Sequence, residues 1–406
     1  MQRIGLGLAL VAALAAPSLG GELTKKGFRK LKQRTKAALA QGDADALAEA
    51  LAGLGQDDSR AAVDLVLKSA LALPKGKVLR AATEALASMD SPEAQEALCA
   101  RLQKKGGHPH LKILCIDALA GREDKASGEA LGAALADKRP EVLRAALRAI
   151  RARKPVEAVD GLIDLFERLQ RRPDQLLQRQ VDYALAEITG KYFETAEDWR
   201  KFWELRKASF RPRTGGSLPA GLTTSERNKR PTFFGSEIAS DRLVFVIDTS
   251  GSMKGDRLAK CKQQLAECID ALSPRSRFTI IGFSSSLRVW NKRLVQASPA
   301  NKQKAKAFAQ ALQAAGNTFT LTALKNAFEV QGADAIVLLS DGMPTETNNK
   351  GETLTTDFIL DEVDAQNRFK KWRIDTFGFE VTPGGSLSAF MRALAKQHGG
   401  TFTPIR

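Results

Sequence analysis

Histidine is scarce in this chain, with 3 residues among 406. Two of them, His108 and His110, flank a proline in a predicted loop, and we interpret them as loop residues rather than metal ligands. The sequence contains no Gly-x-Ser-x-Gly nucleophile segment and no glycine-rich phosphate loop with a lysine. We therefore predict that the protein is not an enzyme.

Cysteine is equally sparse, with 4 residues. Cys261 and Cys268 lie seven positions apart on one predicted helix, about 10 Å from each other, which is too far for a disulfide. Cys99 and Cys115 fall in neighbouring predicted helices, so a disulfide between them stays open, although the pattern favours buried free thiols. No pair has the Cys-x-x-Cys spacing of a zinc site.

Long apolar runs are few, and the run at residues 4–16 has the character of a targeting segment. It follows a short basic start and precedes the small residues Ser18 and Gly20, as in a secretory signal. It is shorter than the roughly 20 residues that span a bilayer. We predict that residues 1–20 are a signal peptide and that the protein is exported, as a periplasmic, cell-surface or secreted protein. Whether the signal is cleaved or retained as an anchor stays open.

Acidic residues are outnumbered by basic ones, 46 to 62, which gives a formal net charge of +16. Residues 21–36 and 206–230 each contain seven Lys or Arg and one Glu. Such stretches attract anionic lipid, polysaccharide or nucleic acid. Aromatic residues for base stacking are nearly absent there, which disfavours nucleic acid. We expect a solvated basic N-terminal segment at 21–36 and a solvated basic linker at 208–238.

Residues 37–207 are rich in Ala and Leu and predict one helix after another. An Ala-Leu or Ala-Ile pair recurs every 31 to 35 residues, at positions 85, 118, 149 and 184. Two helices per repeat of this length indicate an α-solenoid, and the segment is similar to HEAT-type repeats. A single helical bundle is the alternative. Trp199, Phe202 and Trp203 share one face of the last predicted helix and are expected to close the end of the core.

Residues 208–238 have the proline, glycine, serine and threonine content of a linker, and the apolar stretch Thr232-Phe233-Phe234-Gly235 near its end is expected to dock onto the next domain. From residue 239 to 406, predicted strands and helices alternate, which indicates a doubly wound α/β domain with a largely parallel sheet. We expect the two parts of the chain to fold separately. Proteolysis between residues 208 and 231 should then release two stable pieces.

Three loops of the α/β part carry oxygen side chains at positions that suit a hard cation. The first follows the apolar strand at 243–247 and contains Asp248, Ser250 and Ser252. The second contains Thr318, and the third has Asp341 directly after the apolar strand at 336–340. Parallel strands bind ligands at their carboxyl ends, so these residues are expected to meet there. The alternative is that they are ordinary turn and N-cap residues without a metal.

In these three stretches the chain resembles the von Willebrand factor type A (VWA) family, whose metal-ion-dependent adhesion site has the pattern Asp-x-Ser-x-Ser, then Thr, then Asp. The resemblance covers residues 239–406 and fills all five positions. Asn317 departs from the family, which often has a second glycine there, and we expect the loop to tolerate asparagine. The resemblance implies a Mg²⁺ ion, with Mn²⁺ or Ca²⁺ as alternatives, and the five implied ligands are Asp248, Ser250, Ser252, Thr318 and Asp341.

The resemblance also implies a function. We expect an exported binding or adhesion-type protein that docks a partner's Asp or Glu carboxylate on the metal, with the helical repeats as scaffold. The alternative is a polyanion-binding or cell-surface scaffold, held by its basic stretches, in which the metal site is structural. Chelator sensitivity should distinguish the first function and salt sensitivity the second.

Overall fold

The computed structural model describes residues 23–104, 106–211, 218–219, 231–379 and 384–405. The predicted signal peptide and residues 212–217 and 220–230 of the predicted linker lie outside the described residues. None of the helices in the described ranges is long and apolar enough to span a membrane.

The N-terminal part of the chain consists of consecutive α-helices joined by short loops. They are α1 (Lys25–Gln41), α2 (Ala44–Leu54), α3 (Arg60–Ala72), α4 (Gly76–Ser88), α5 (Pro92–Gln103), α6 (Pro109–Leu119), α7 (Lys125–Ala134), α8 (Pro140–Arg153), α9 (Val159–Arg171), α10 (Gln175–Thr189) and α11 (Ala196–Arg206). Short 3₁₀ turns precede α9 and follow α11. Side-chain oxygens cap the start of many of these helices, as Asp43 does for α2 and Ser91 for α5.

These helices form two layers, because each packs against the helix two places further along the chain. The odd-numbered helices make one layer and the even-numbered helices the other. The recurring Ala-Leu and Ala-Ile pairs lie in α4, α6, α8 and α10, and all eight side chains are at most 5% exposed. Trp199 and Trp203 are buried at the end of the same core. The prediction of a helical-repeat solenoid is therefore confirmed.

Arginine side chains join one repeat to the next. Arg122 donates to the carbonyl oxygens of Leu86 and Met89 at the end of α4, about one repeat earlier. Arg168 donates in the same way to the carbonyl oxygens of Leu135 and Ala136 at the end of α7. The last carbonyls of a helix have no partner within it, so each repeat supplies donors that its predecessor lacks.

The basic N-terminal segment is not a solvated tail. Helix α1 begins at Lys25, and the predicted start of the repeats at residue 37 is therefore too late. Phe28 and Leu31 pack against the solenoid core, and Thr35 and Ala38 are buried one and two turns further on. The apolar spacing along α1 places these residues on one face, which holds the basic stretch against the solenoid.

The C-terminal part of the chain is an α/β domain. Its strands are β1 (Thr232–Phe233), β2 (Ser236–Glu237), β3 (Arg242–Asp248), β4 (Arg277–Phe283), β5 (Leu287–Val289), β6 (Val295–Gln296), β7 (Ala335–Ser340), β8 (Arg373–Phe379) and β9 (Phe402–Ile405). Its helices are α12 (Asp256–Ala271), α13 (Pro299–Gln310), α14 (Thr320–Phe328), α15 (Thr356–Asn367) and α16 (Ser386–Gln397).

The main sheet has the order β5-β4-β3-β7-β8-β9, with β6 also paired to β4. Strands β4, β3, β7, β8 and β9 are parallel, and β5 and β6 pair antiparallel at the edge. Apolar side chains on the two faces of the sheet form two separate cores beneath the helices. The continuous apolar runs of β3 and β7 follow from this, since both faces are covered. The predicted doubly wound fold is confirmed.

Strands β1 and β2 form a hairpin from the last residues of the predicted linker. Phe233 is fully buried and contacts the rings of Phe245 and Phe377. The turn has positive φ angles at Phe234 and Gly235. The expected docking of Phe233 is therefore confirmed, and residues 231–238 are part of the α/β domain rather than of the linker.

The even-numbered layer of the solenoid packs against the amino-terminal edge of the sheet. Lys371, which precedes β8, donates to both carboxylate oxygens of Asp117 on α6 at 2.8 Å. Arg144 on α8 donates to the carbonyl oxygen of Lys370 at 2.7 Å and is only 5% exposed. The two parts are thus joined by buried charged contacts, and the expectation that proteolysis releases separate pieces needs revision.

All four cysteines are buried free thiols, so Cys99 and Cys115 do not form a disulfide. Burial raises the pKa of Cys115 to about 12 and that of Cys268 to about 12. Thiols in such surroundings stay protonated at neutral pH and act as small apolar side chains.

Candidate metal site at the carboxyl edge of the sheet

Asp248 and Asp341 lie at the same edge of the sheet because their strands are parallel neighbours. Strands β3 and β7 pair from Leu243 with Ala335 to Ile247 with Leu339. Asp248 is the last residue of β3, and Asp341 follows directly after the end of β7. The sequence prediction that both residues reach the carboxyl edge agrees with this register.

The Asp248 carboxylate is fully buried and held from both sides. One oxygen accepts a hydrogen bond from the backbone amide of Ser250 at 2.7 Å, and the other accepts one from the hydroxyl of Ser340. Burial raises the pKa of Asp248 to about 6, and the charge of Asp341 acts in the same direction, while the bonds from Ser340 and Ser250 oppose it. A carboxylate that is costly to bury is thus fixed in one orientation at the base of the site.

A row of hydrogen bonds connects the first loop to Asp341. The hydroxyls of Ser250 and Ser252 are 3.1 Å apart, and Ser252 donates to one oxygen of Asp341 at 2.7 Å. The other oxygen of Asp341 accepts from Arg257, at 2.9 Å, and the same guanidinium nitrogen donates to the carbonyl oxygen of Ser252. The Asp341 side chain is buried, whereas that of Arg257 is 34% exposed.

The loop that carries Thr318 is tied to its neighbours by backbone bonds. The amide of Gly251 donates to the carbonyl oxygen of Gly316 at 2.9 Å. The Thr318 amide donates to the Thr345 hydroxyl at 2.9 Å, and the Thr345 amide donates to the Thr318 carbonyl oxygen at 3.0 Å. Thr318 itself is 5% exposed. These bonds fix the second loop against both the first and the third.

The asparagine at position 317 is accommodated without a left-handed backbone. The positive φ of this loop, +79°, belongs to Gly316. A side chain at Gly316 would place its Cβ 2.7 Å from the Ser285 hydroxyl oxygen, so glycine is required there. The Asn317 amide donates to that same hydroxyl at 2.8 Å. The loop forms as expected, and the residue that adopts the left-handed backbone is Gly316 rather than Asn317.

Thr318 approaches the other site residues around Gly342. A Cβ placed on Gly342 would lie 3.5 Å from the Thr318 hydroxyl oxygen and 3.6 Å from the Ser252 hydroxyl oxygen. The hydroxyls of the first and second loops therefore converge on the backbone that follows Asp341. The structure brings all five predicted residues to one place, and hydrogen bonds directly link four of them, Asp248, Ser250, Ser252 and Asp341.

The donor set is composed of hydroxyl and carboxylate oxygens. Within the described ranges, no group of three or more His, Cys, Asp or Glu side chains is arranged to hold a metal. The site instead combines two carboxylates, from Asp248 and Asp341, with three hydroxyls. Such a set fits a hard divalent cation and does not fit one that prefers nitrogen or sulfur. Arg257 reduces the formal charge of the cluster from −2 to −1.

Three residues beside the site escaped the sequence analysis. Ser340 orients Asp248, Thr345 orients the Thr318 loop, and Arg257 pairs with Asp341. Ser340 stands next to Asp341 at a strand end, so its place in the sequence could have indicated that it lies near the site. Arg257 lies in the first turn of α12, and nothing in the sequence indicates that a basic residue at this position reaches the site.

Comparison with known proteins finds a family match for the C-terminal domain. Residues 241–403 match the family model described as von Willebrand factor type A domain. The inter-alpha-trypsin inhibitor heavy chain H4 of Homo sapiens is 31% identical over 194 residues, which cover 45% of this chain and 18% of the relative. Heavy chain H1 of Bos taurus is 34% identical over 116 residues, or 26% of this chain and 13% of the relative. The chain thus spans about a fifth or less of these curated relatives.

Among solved structures, a von Willebrand factor type A protein from Catenulispora acidiphila matches with a TM-score of 0.34 and 23% identity. The match covers 42% of this chain and 40% of that one. The PilB minor pilin from Streptococcus sanguinis matches with a TM-score of 0.33 and 17% identity, over 40% of this chain and 56% of the pilin.

Proposed function

Because residues 241–403 form a von Willebrand factor type A domain, which implies protein binding, we propose that this chain docks an acidic protein partner through a divalent cation. The observation that carries the proposal is the convergence of five oxygen side chains from three loops at the carboxyl edge of the sheet. Ser250, Ser252 and Asp341 are hydrogen-bonded in a row, with Asp248 beneath them and Thr318 beside them.

Each residue has a distinct role in the proposed site. Ser250, Ser252 and Thr318 offer neutral oxygens, and Asp248 and Asp341 supply negative charge directly or through water. A bound Mg²⁺-class ion, with Mn²⁺ or Ca²⁺ as alternatives, would supply a coordination position for the Asp or Glu side chain of the partner. Because few carboxylates neutralise the ion, an incoming carboxylate is strongly favoured.

The solenoid suits the role of a scaffold because it contacts the other end of the α/β domain. Its charged contacts reach Lys371, which precedes β8, and Arg242, the first residue of β3. Asp248 lies at the opposite end of β3. Ser252 is exposed to solvent, so a partner approaching the carboxyl edge meets the site without displacing the solenoid.

The test is capture of binding proteins on the full chain, with Mg²⁺ or with EDTA, beside an Asp248→Asn variant. We expect a partner that binds the wild type with Mg²⁺, leaves on addition of EDTA and fails to bind Asp248→Asn. A partner that binds all three preparations equally would contradict the proposal. Mutation of acidic residues of the captured partner then identifies the carboxylate.

The alternative function is a scaffold held to a polyanion or a cell surface by its basic stretches, with a structural metal at the site. Its binding should fall steeply with salt and ignore EDTA. The metal-dependent function predicts the reverse, since a carboxylate bound to a desolvated cation is screened less than exposed charges. Comparing the two treatments on one preparation separates the functions.

We also propose that the protein is not an enzyme and that it is exported. The Ser250 hydroxyl pairs with Ser252, and His398 is packed against Asn367 beyond the opposite edge of the sheet, so this histidine is not placed as its base. Support for export comes from residues 1–20 alone, whose basic start, apolar run and small residues have the form of a signal peptide.

A further inference from the structure

Helix α1 carries seven basic residues and no acidic one over 17 positions. All seven are exposed, and they are Lys25, Lys26, Arg29, Lys30, Lys32, Arg34 and Lys36. Arg34 forms an open ion pair with Glu49, at 3.6 Å. Among the described residues, the other six basic side chains of α1 have no acidic partner. A cluster of this kind attracts anions and negatively charged surfaces.

The packing of α1 turns these charges outward as one surface. At 100° per residue, Lys25, Arg29, Lys32 and Lys36 fall on a single stripe, and Lys26, Lys30 and Arg34 on the adjacent one. Phe28, Leu31 and Leu39 fall in the remaining arc of the helix, against the solenoid core. The basic face of α1, defined as these seven residues, therefore covers about half of the helix circumference and rises by about 17 Å from Lys25 to Lys36.

From this exposed and largely unpaired charge we infer that the basic face of α1 binds the surface of an anionic phospholipid bilayer. A bilayer presents phosphates at high density over a plane, and the stripe of Lys25, Arg29, Lys32 and Lys36 along one side of the helix can face it as a row. The apolar side chains of α1 are already packed inward, so the contact is electrostatic and does not require insertion. The inference is independent of the metal-dependent function, which uses the α/β domain.

Two observations favour a bilayer over nucleic acid. The exposed face of α1 has no aromatic side chain on which a base could stack, since Phe28 is turned toward the core. The apolar run at residues 4–16 ends nine positions before Lys25, and nine extended residues reach at most about 30 Å. In any form of the protein that keeps this run, α1 is therefore confined to the neighbourhood of the membrane.

The experiment is sedimentation of the predicted mature chain, from Gly21 onwards, with vesicles, in EDTA so that the metal site does not contribute. Vesicles of phosphatidylcholine alone are compared with vesicles containing phosphatidylglycerol, at low and high salt. The variant Lys25→Gln/Arg29→Gln/Lys32→Gln removes three charges of one stripe. The control Lys260→Gln/Lys292→Gln/Lys304→Gln removes three exposed charges of the α/β domain. All of these proteins begin at Gly21, so the apolar run at residues 4–16 does not contribute to binding.

We expect binding to the anionic vesicles that weakens with salt. Each cation near an anionic surface changes the partition coefficient about fivefold, so the α1 variant should bind on the order of 100-fold more weakly. The control should bind as the wild type does. Equal binding of the two variants, or no preference for anionic vesicles, would overturn the inference. Single-stranded RNA that binds through α1 while the vesicles do not would assign the face to nucleic acid and overturn it too.

Discussion

Arg257 and Asp341 form an ion pair inside the candidate metal site, with the guanidinium nitrogen 2.9 Å from the carboxylate oxygen. Asp341 is one of the two charged residues proposed to hold a cation, so a cation that binds there meets a positive charge already in place. Arg257 comes from the first turn of α12, five residues after Ser252. The Arg257 guanidinium and a bound cation therefore compete for the Asp341 carboxylate.

Replacing Arg257 by glutamine is expected to tighten Mg²⁺ binding. Removing one like charge near a partly exposed site is worth about 1 kcal/mol, which corresponds to a dissociation constant roughly fivefold lower. Calorimetric titration of the full chain measures this directly. Lys260→Gln removes an exposed charge from the same helix and should leave the constant unchanged. If Arg257→Gln weakens binding, the guanidinium chiefly positions Asp341.

Asp248→Ala should abolish measurable Mg²⁺ or Mn²⁺ binding without unfolding the domain, because the lost group is polar and stands at the rim of the sheet.

Thr318→Ala removes a neutral oxygen and leaves both carboxylates, so it should weaken binding by about tenfold. Thr318→Ser keeps the hydroxyl and serves as the matched control. Wild-type protein without saturable metal binding would reduce the five residues to turn formers.

The contact between Lys371 and Asp117 should contribute strongly to stability. Lys371 is 6% exposed, so Asp117→Asn leaves a buried ammonium without its counter-charge, at a cost of about 3 kcal/mol. The control is Asp45→Asn, which breaks the exposed pair with Lys77 and should cost less than about 1 kcal/mol. Urea unfolding of the full chain gives both values, and equal costs would mean that the contact is solvated.

The same contact changes the expected result of limited proteolysis. Cleavage within residues 212–230 should leave two fragments that elute together in size-exclusion chromatography, because charged contacts are buried between them. The fragments of Asp117→Asn should separate more readily. Wild-type fragments that elute apart would support two independent domains instead.

His398 should make stability depend on pH. Burial lowers its pKa to about 3, and the nearby charges of Arg148, Lys371 and Arg368 act in the same direction. An unfolded histidine titrates near 6.5, so below that pH the unfolded chain binds a proton that the folded chain does not. The free energy of unfolding should therefore fall by about 2 to 3 kcal/mol from this residue between pH 7 and pH 4.5.

The measurement for His398 is urea unfolding at pH 7 and at pH 4.5. His398→Gln cannot take up the proton, so this variant should lose less stability than the wild type on acidification. The control is Lys260→Gln, which changes an exposed side chain of the α/β domain and should lose as much stability as the wild type on acidification. An identical slope in wild type and His398→Gln would show that the imidazole is not held neutral.

N-terminal sequencing of the protein recovered from outside the cytoplasm tests the predicted export. A start near Gly21 is expected, because the small residues Ser18 and Gly20 suit signal cleavage there. Recovery of Met1 in the exported protein would show that the segment is retained, and recovery of the protein in the cytoplasm alone would contradict export.

The sequence by itself determined the fold class of both parts of the chain and predicted the five candidate site residues. Recurring Ala-Leu pairs predicted the solenoid, because a repeat that buries the same face must repeat the same apolar pair. Apolar runs that end in Asp248 and Asp341 predicted the edge of the sheet, because parallel strands present their carboxyl ends together. Periodicity also runs through α1, yet its charge obscured the packing of Phe28 and Leu31.

Only the tertiary structure decided which partners these residues meet. Arg257 and Asp341 are 84 positions apart, and Lys371 and Asp117 are 254 apart. No local pattern encodes such pairs, since they arise from the register of strands and from the docking of one domain on another. For the same reason the sequence predicted two separate folding units, whereas the structure joins the solenoid to the amino-terminal edge of the sheet. The carboxyl edge remains available to a partner because the solenoid occupies the opposite one.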